Sequence, residues 1–600
     1  MITNSEKQKF VQIGGLNFLV ETPKEIEDEI REIRQVYWKE GKERKLVVLL
    51  HAYTASAQNF CHVCRTIDRE LDSPHILIPE FPAGLFSTAN PLVIVRDVVR
   101  LIDCLDKERM FKEIILVGHS LGALLARQVY VCACGETEKA PFEKELADFR
   151  QAREWVEKVN RIILLAAMNR GWQISHHLSP LNVLAQSAGV ILGNLMTLVG
   201  RKPLIFKIRR GAPFITQLRI QWLAMHNGNA LTVQLLGSVD DIVSPDDNID
   251  LVTGKDFVYL DVPKTGHSSI IVMDKTPEGS KRADIFIRAL KESHKKLRNS
   301  QNIPDDQLLP GPFPHIKNVI FVIHGIRDRG FWTKKIARRI RALGSNQAYA
   351  TETSTYGYFP MLPFLLPFYR RNKVEWLMDQ YTENLALYPK AEFHYVGHSN
   401  GTYLLAKALQ EYPSCRFKHV VFAGSVVRTD YGWSDRFSKH QVEKVLNFVA
   451  TGDWVVAFFP KLFQVLRWQD LGSAGHDGFK FKENRSGNFI EFDQSRTIVQ
   501  VQYIQGDHGA ALKEENWDAI ANFILSGQVG QSHLPQSLLK NRQELFIALV
   551  GKAPYLVWII IFLFVIGIGR IILSFDLAEW QRTVLFVIYI WLIWRILSRL

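Results

Sequence analysis

Two serines in this chain stand in the same local setting. EIILVGHSLGALLARQV carries Ser120 and AEFHYVGHSNGTYLLAKAL carries Ser399, each after a short apolar run and before a helix-like stretch. A serine hydroxyl becomes a useful nucleophile only when a neighbouring base takes its proton. A sharp strand-to-helix turn would project it into a cleft, and such a crowded turn needs glycine two positions before and two after. Gly118 and Gly122 flank Ser120, and Gly397 and Gly401 flank Ser399. The helix behind each serine would turn its N-terminal amides toward a developing oxyanion, so the amides of Leu121 and Asn400 are the first expected donors. The second donors would be the amides of Tyr53 and Ile326, in the loops that follow RKLVVLLHAYTAS and NVIFVIHGIRDRG.

Nucleophilic serine chemistry also needs an acid and a base. LTVQLLGSVDDIVSP reads as a strand running into an acidic turn, where Asp240 and Asp241 are rivals and Asp240 is favoured. DFVYLDVPKTGHSSI follows as another strand and a turn with His267. In the second half, VLNFVATGDWVVAFFP supplies Asp453 and TIVQVQYIQGDHGAAL supplies His508, whereas His476 in LGSAGHDGF competes as base without a comparable strand before it. Both halves therefore run serine, aspartate, histidine along the chain, with His51 and His324 ending the matched upstream runs. Two such pentapeptides in matched surroundings amount to an internal repeat.

Those motifs resemble the α/β-hydrolase superfamily, in particular its lipase and esterase branches, over residues of roughly 44–295 and 316–528. The resemblance implies two tandem domains of α/β class, each with a mostly parallel central sheet, and an acyl-enzyme formed on serine. It assigns nucleophile, acid and base to Ser120, Asp240 and His267, then to Ser399, Asp453 and His508. One departure stands out. Where many members carry His-Gly after the first strand, this chain has His51-Ala52 in one half and His324-Gly325 in the other. Alanine is less free than glycine if that loop needs a positive φ.

The elements that must position these residues divide the chain into an N-terminal helical extension at 1–40, a first domain at 41–295, a linker at 296–315, a second domain at 316–528 and a membrane anchor at 543–600. EIEDEIREIRQVYW reads as an amphipathic helix lying against the first domain, and the Pro-rich linker has few residues that could build a core. The interval from Ser120 to Asp240 is about twice that from Ser399 to Asp453, enough for a cap over the first cleft. It holds ETEKAPFEKELADFRQAREWVEKV, read as a charged helical stretch, and SPLNVLAQSAGVILGNLMTLVGRKPLIF, whose apolar underside would suit a fatty-acyl substrate. DWVVAFFPKLFQVLRW could form an amphipathic surface that meets membrane, or simply core.

Residues 553–569 hold no charge, and the apolar run continues to Phe575 past the single Arg570. A helix needs roughly 20 residues to cross a hydrocarbon core. The run 583–594 is shorter, between Arg582 and Arg595, so the tail reads as a helical hairpin or as one span with an interfacial helix. Lys540, Arg542 and Lys552 before the first run, and Arg595 and Arg599 at the end, put both domains on the cytosolic side.

Composition narrows the classes. A chain of 600 residues with 47% hydrophobic and 22% charged residues is globular, and its formal net charge of +12 permits attraction to anionic membranes. No Lys/Arg run reads as a nucleic-acid tail. Six cysteines make no disulfide scaffold, and neither Cys61/Cys64 nor Cys132/Cys134 is completed to a zinc pattern. Phosphate-loop, dinucleotide and H-E-x-x-H motifs are not found, so no cofactor or metal is implied. The expected activity is a membrane-anchored lipase or carboxylesterase acting on hydrophobic acyl esters, with the lipid bilayer as partner. Acyl transfer to lipid or protein uses the same machinery, and a scaffold of two inactive domains is the alternative of another class.

Overall fold

KLVVLL and EIILVGH are continuous apolar runs because both faces of the strands they form are covered. The computed structural model describes residues 9–22, 31–173, 193–194, 196–197, 200–226, 228–240, 242–243, 245–250, 257–301, 312–326, 328, 330–344, 349–480, 497–529 and 533–599. These divide into two compact units, one of Met1–Gly311 with Met378–Leu387 and Tyr412–Ser414, the other of Pro312–Leu377, Tyr388–Glu411 and Cys415–Leu600.

In the first unit nine strands form one sheet: β1 (Lys9–Ile13), β2 (Leu16–Glu21), β3 (Gln35–Lys39), β4 (Lys45–Leu50), β5 (His75–Glu80), β6 (Glu113–His119), β7 (Val159–Leu165), β8 (Leu231–Gly237) and β9 (Phe257–Val262). Their spatial order is β1-β2-β3-β5-β4-β6-β7-β8-β9. The pairings from β5 to β9 are parallel, and those of β1 with β2, β2 with β3 and β3 with β5 are antiparallel. Side chains alternate between two cores. Leu46, Val48, Leu50, Leu116 and Leu164 face one, while Val47, Leu49, Val117, Ile163 and Leu165 face the other. Each such fully buried aliphatic side chain contributes about 1.5–3 kcal/mol.

The second unit has a six-stranded, wholly parallel sheet: β10 (Asn318–Ile323), β11 (Tyr349–Glu352), β12 (Glu392–His398), β13 (Phe417–Ala423), β14 (Val442–Ala450) and β15 (Ile498–Ile504), in the order β11-β10-β12-β13-β14-β15. The helices that bear on function are α1 (Leu121–Cys134) in the first unit and, in the second, α2 (Asn400–Glu411), α3 (Trp454–Leu466), α4 (Leu545–Lys552), α5 (Pro554–Ser574) and α6 (Glu579–Arg599).

Two expectations are corrected. The helix expected near the N-terminus is, in its described part, strand β3, which pairs with β2 and β5. QVYWK alternates, burying Val36 and Trp38, so the edge of the sheet claims it. Lys9–Ile13, Leu16–Glu21 and Gln35–Lys39 are thereby strands of the first sheet instead of a helix lying against it. The stretch 136–159, read as helical, forms only two short 3-10 turns, Lys144–Phe149 and Val156–Lys158, before it enters β7. Phe142, Leu146 and Phe149 keep the spacing of one helix face, but Trp155, also buried in the core, falls off that face, so a single amphipathic helix cannot bury all four. Most of the apolar cap stretch 179–206 and half of the linker 296–315 lie outside the described residues.

Helix α5 is long and apolar enough to cross a membrane. Helix α6 packs back on it, with Tyr589 donating from its hydroxyl to the Val565 carbonyl at 2.6 Å.

Candidate active site

Ser120 stands between β6 and α1 at φ 54° and ψ −113°, a conformation a residue with a side chain adopts only under constraint. Its amide donates to the Leu165 carbonyl on the neighbouring strand at 2.9 Å, which fixes the turn. Gly122 is needed for close approach, because a Cβ there would lie 1.9 Å from the Leu50 carbonyl oxygen. The sharp turn and the packing of α1 against β4 are thus one requirement.

Asp240 follows β8 and His267 follows β9, so both loops rise at the carboxyl end of the sheet beside the serine. The Ser120 hydroxyl lies 2.9 Å from His267 Nε2, and His267 Nδ1 donates to Asp240 Oδ2 at 3.0 Å. The other carboxylate oxygen accepts the amides of Ile242 and Val243, each at 3.0 Å. Burial alone would raise the Asp240 carboxyl. The hydrogen bond and charge of His267, with those two amides, outweigh it and hold the group below its ordinary range. Asp241 lies outside the described residues.

His51 has a different task. Its Nδ1 donates to the Ala52 carbonyl at 3.0 Å, its Nε2 accepts the Phe81 amide at 3.3 Å, and its ring stacks on Phe81. Burial pushes its pKa down to about 4, so it is a neutral brace under the loop that carries Tyr53. Among the described residues the amides of Tyr53 and Leu121 are engaged by no other group, as donors to an oxyanion must be.

The second unit repeats the elbow. Ser399 sits between β12 and α2 at φ 51°, and its amide donates to the Ala423 carbonyl at 3.0 Å. His508 Nδ1 lies 3.0 and 2.9 Å from the two Asp453 carboxylate oxygens. Burial opposes protonation of His508, but the facing Asp453 charge prevails and raises its pKa. Among the described residues no hydrogen bond joins Ser399 to His508, so only two members of this set are linked. The amides of Ile326 and Asn400 lie in the loop after β10 and at the first turn of α2, and Asn400 also donates from its side chain to the Tyr356 hydroxyl at 3.2 Å. His476 is turned elsewhere, with its Nδ1 on Asp477 at 2.9 Å.

The concern over Ala52 resolves on different grounds. Neither Ala52 nor Gly325 has a positive φ. What glycine provides at 325 is room, because a Cβ there would lie 2.7 Å from Ser399 Cβ.

Two residues were missed in the sequence although the motif itself spells them. His119 and His398, directly before the serines, reach the backbone of His267 and His508. All six cysteines are free thiols, and no group of three or more metal-ligating side chains occurs among the described residues.

Residues 47–273 match the sequence profile of the Alpha/beta hydrolase family. No curated protein matches the chain. Solved structures similar to it include phospholipase PlaB from Legionella pneumophila, at 14% identity over 42% of this chain and 61% of that one, with a TM-score of 0.30. Others are a monoacylglycerol lipase from Paleococcus ferrophilus, at 15% identity over 43% and 98% with a TM-score of 0.28, and the lipase BlEst2 from Bacillus licheniformis, at 15% over 42% and 98% with 0.28. The matched stretch contains Ser120, Asp240 and His267, so the part of the chain that bears the first site is similar to the alpha/beta hydrolase family.

Proposed function

We propose that this protein is a membrane-anchored serine hydrolase, a lipase or carboxylesterase that cleaves hydrophobic acyl esters through an acyl-serine intermediate. The observation that carries the reading is the continuous hydrogen-bonded chain from Ser120 through His267 to Asp240. His267 Nε2 takes the serine proton as Oγ attacks the acyl carbonyl, and the Asp240 carboxylate holds the ring in the tautomer that leaves Nε2 free. The amides of Tyr53 and Leu121 receive the oxyanion. The alcohol leaves with the proton held on His267, and water, activated by the same nitrogen, releases the acid.

The second unit, with Ser399, Asp453 and His508, is read as a second hydrolase-like domain whose nucleophile engages its base once substrate enters. Apolar α5, preceded by Lys540, Arg542 and Lys552, supports a tether that leaves both units in the cytosol, where lipid-derived esters are within reach.

The test is fluorophosphonate labelling of the full chain reconstituted in vesicles, with Ser120→Ala, Ser399→Ala and the double variant alongside. Label lost in the double variant and retained in part by each single variant is the expected result. A folded protein that never labels would remove the enzymatic reading in favour of a scaffold.

A further inference from the structure

The helix after the second acid is apolar along nearly its whole length. Asp453 caps α3, accepting the Val456 amide on Oδ1 at 3.0 Å, and the helix runs on as WVVAFFPKLFQVL. Val456, Ala457, Pro460 and Phe463 are its buried side. Its other side is not polar, as a surface helix requires. Trp454 is 50% exposed, Val465 53%, Leu466 56% and Trp468, just beyond the end, 71%. Its one charge, Lys461, is spent on Asp477 at 2.6 Å.

This exposed face is continuous with the helix proposed as the membrane span. Trp558 of α5 stacks on Phe458 of α3 with ring centroids 4.6 Å apart, and its indole N–H donates to the Phe458 carbonyl at 3.3 Å. Helix α4 lies between α5 and the soluble fold and exposes Leu545, Phe546 and Leu549 in turn. Along the chain, exposed cations flank these helices: Arg467 follows α3, Lys540 and Arg542 precede α4 beside the exposed Glu544, and Lys552 ends α4. Apolar helices flanked by base have the composition of interfacial helices on an anionic leaflet.

We infer that α3 and α4 are seated in the headgroup layer of an anionic lipid bilayer, so that the second unit works with its acid loop at the membrane surface. This rests on the reading of α5 as a membrane span. Two links couple the seat to the site. Asp453 is the residue from which α3 starts, and Glu544, the residue before α4, donates its amide to the Thr451 carbonyl at 3.0 Å and accepts the Thr451 hydroxyl at 3.3 Å. Both ends of the acid loop are therefore tied to helices that lie on lipid. The substrate class this favours for Ser399 is an acyl ester resident in the leaflet, reached without passing through water.

The experiment uses the full chain in phosphatidylcholine vesicles with and without phosphatidylserine, carrying lipids brominated high on the acyl chain. The extra quenching of wild type over Trp468→Phe isolates Trp468. The expected result is clear quenching of Trp468, stronger with phosphatidylserine. A combined Val465→Ser, Leu466→Ser and Trp468→Ser variant in the Ser120→Ala background should lose about tenfold in hydrolysis of a vesicle-borne ester and retain its rate on a soluble short-chain ester. An unquenched Trp468 in protein that resists alkaline extraction overturns the seat and leaves the span standing, whether the face is then open to water or covered by a second copy. Protein that alkali extracts refutes the span, and quenching before extraction then decides the seat by itself.

Discussion

His119 Nε2 donates to the backbone carbonyl of His267 at 3.0 Å, and His398 Nε2 donates to that of His508 at 3.2 Å. In each elbow the residue before the serine therefore holds the main chain of the histidine proposed as base. His119 is buried and His398 partly so, and burial pushes their pKa values down, to about 4 for His119 and about 3 for His398. Each is neutral, with its one proton committed to that carbonyl.

His119 is accordingly a positioning residue. His119→Ala should lower kcat on a soluble ester by about tenfold to a hundredfold, because a base displaced by a fraction of an ångström transfers protons poorly. KM and the pH midpoint should stay in place. His119→Gln, which retains a donor, should restore part of the loss, and equal kcat in Ala and Gln variants would refute the assignment.

The two serines should differ in reactivity. Ser120 is already bonded to its base and Ser399 is not. Time-resolved fluorophosphonate labelling should show a fast phase abolished by Ser120→Ala and a phase at least about tenfold slower abolished by Ser399→Ala. Equal rates would mean that the missing bond has no kinetic weight.

Space at residue 325 is specific to the second elbow. Gly325→Ala would drive a methyl against Ser399 Cβ, costing about 1–3 kcal/mol and suppressing the slow phase alone. Ala52→Gly should leave the fast phase near its wild-type rate. Labelling of each site and a thermal melt check both.

The acid side of the pH profile should separate the sites. Protonated His508 cannot accept the serine proton, and Asp453 raises its pKa. In the Ser120→Ala variant the remaining hydrolysis should therefore rise with pH and reach half its plateau above about 6.5, the ordinary histidine value. A midpoint below that would contradict the sign.

What the sequence made legible is the local chemistry. The glycines around Ser120, the order of Asp240 and His267, and the apolar runs of β4 and β6 all announce themselves by type and spacing. What it hid is decided by partners far along the chain. The segment Gln35–Lys39 has charged neighbours in a helical rhythm, yet its place is set by pairing with β5, some forty residues later. The hairpin of β1 and β2 did carry a signal, Gly14-Gly15 between alternating residues, both at positive φ in the two-residue turn. His119 and His398 were in plain view, but their role depends on a loop that reaches them only after the sheet has closed.

The N-terminal strands also bear on how the chain avoids sticking to itself. Gln35–Lys39 covers the outer side of β5, register by register from Glu80 to Ile76. A chain begun at residue 41 would leave that side as an open row of unpaired amides and carbonyls on a parallel sheet, and would remove Val36 and Trp38 from the core. Such a bare margin is a template for another chain to add to. The first forty residues thus do for the sheet what a hem does for cloth, and their loss should appear first as aggregation, before any loss of chemistry at Ser120.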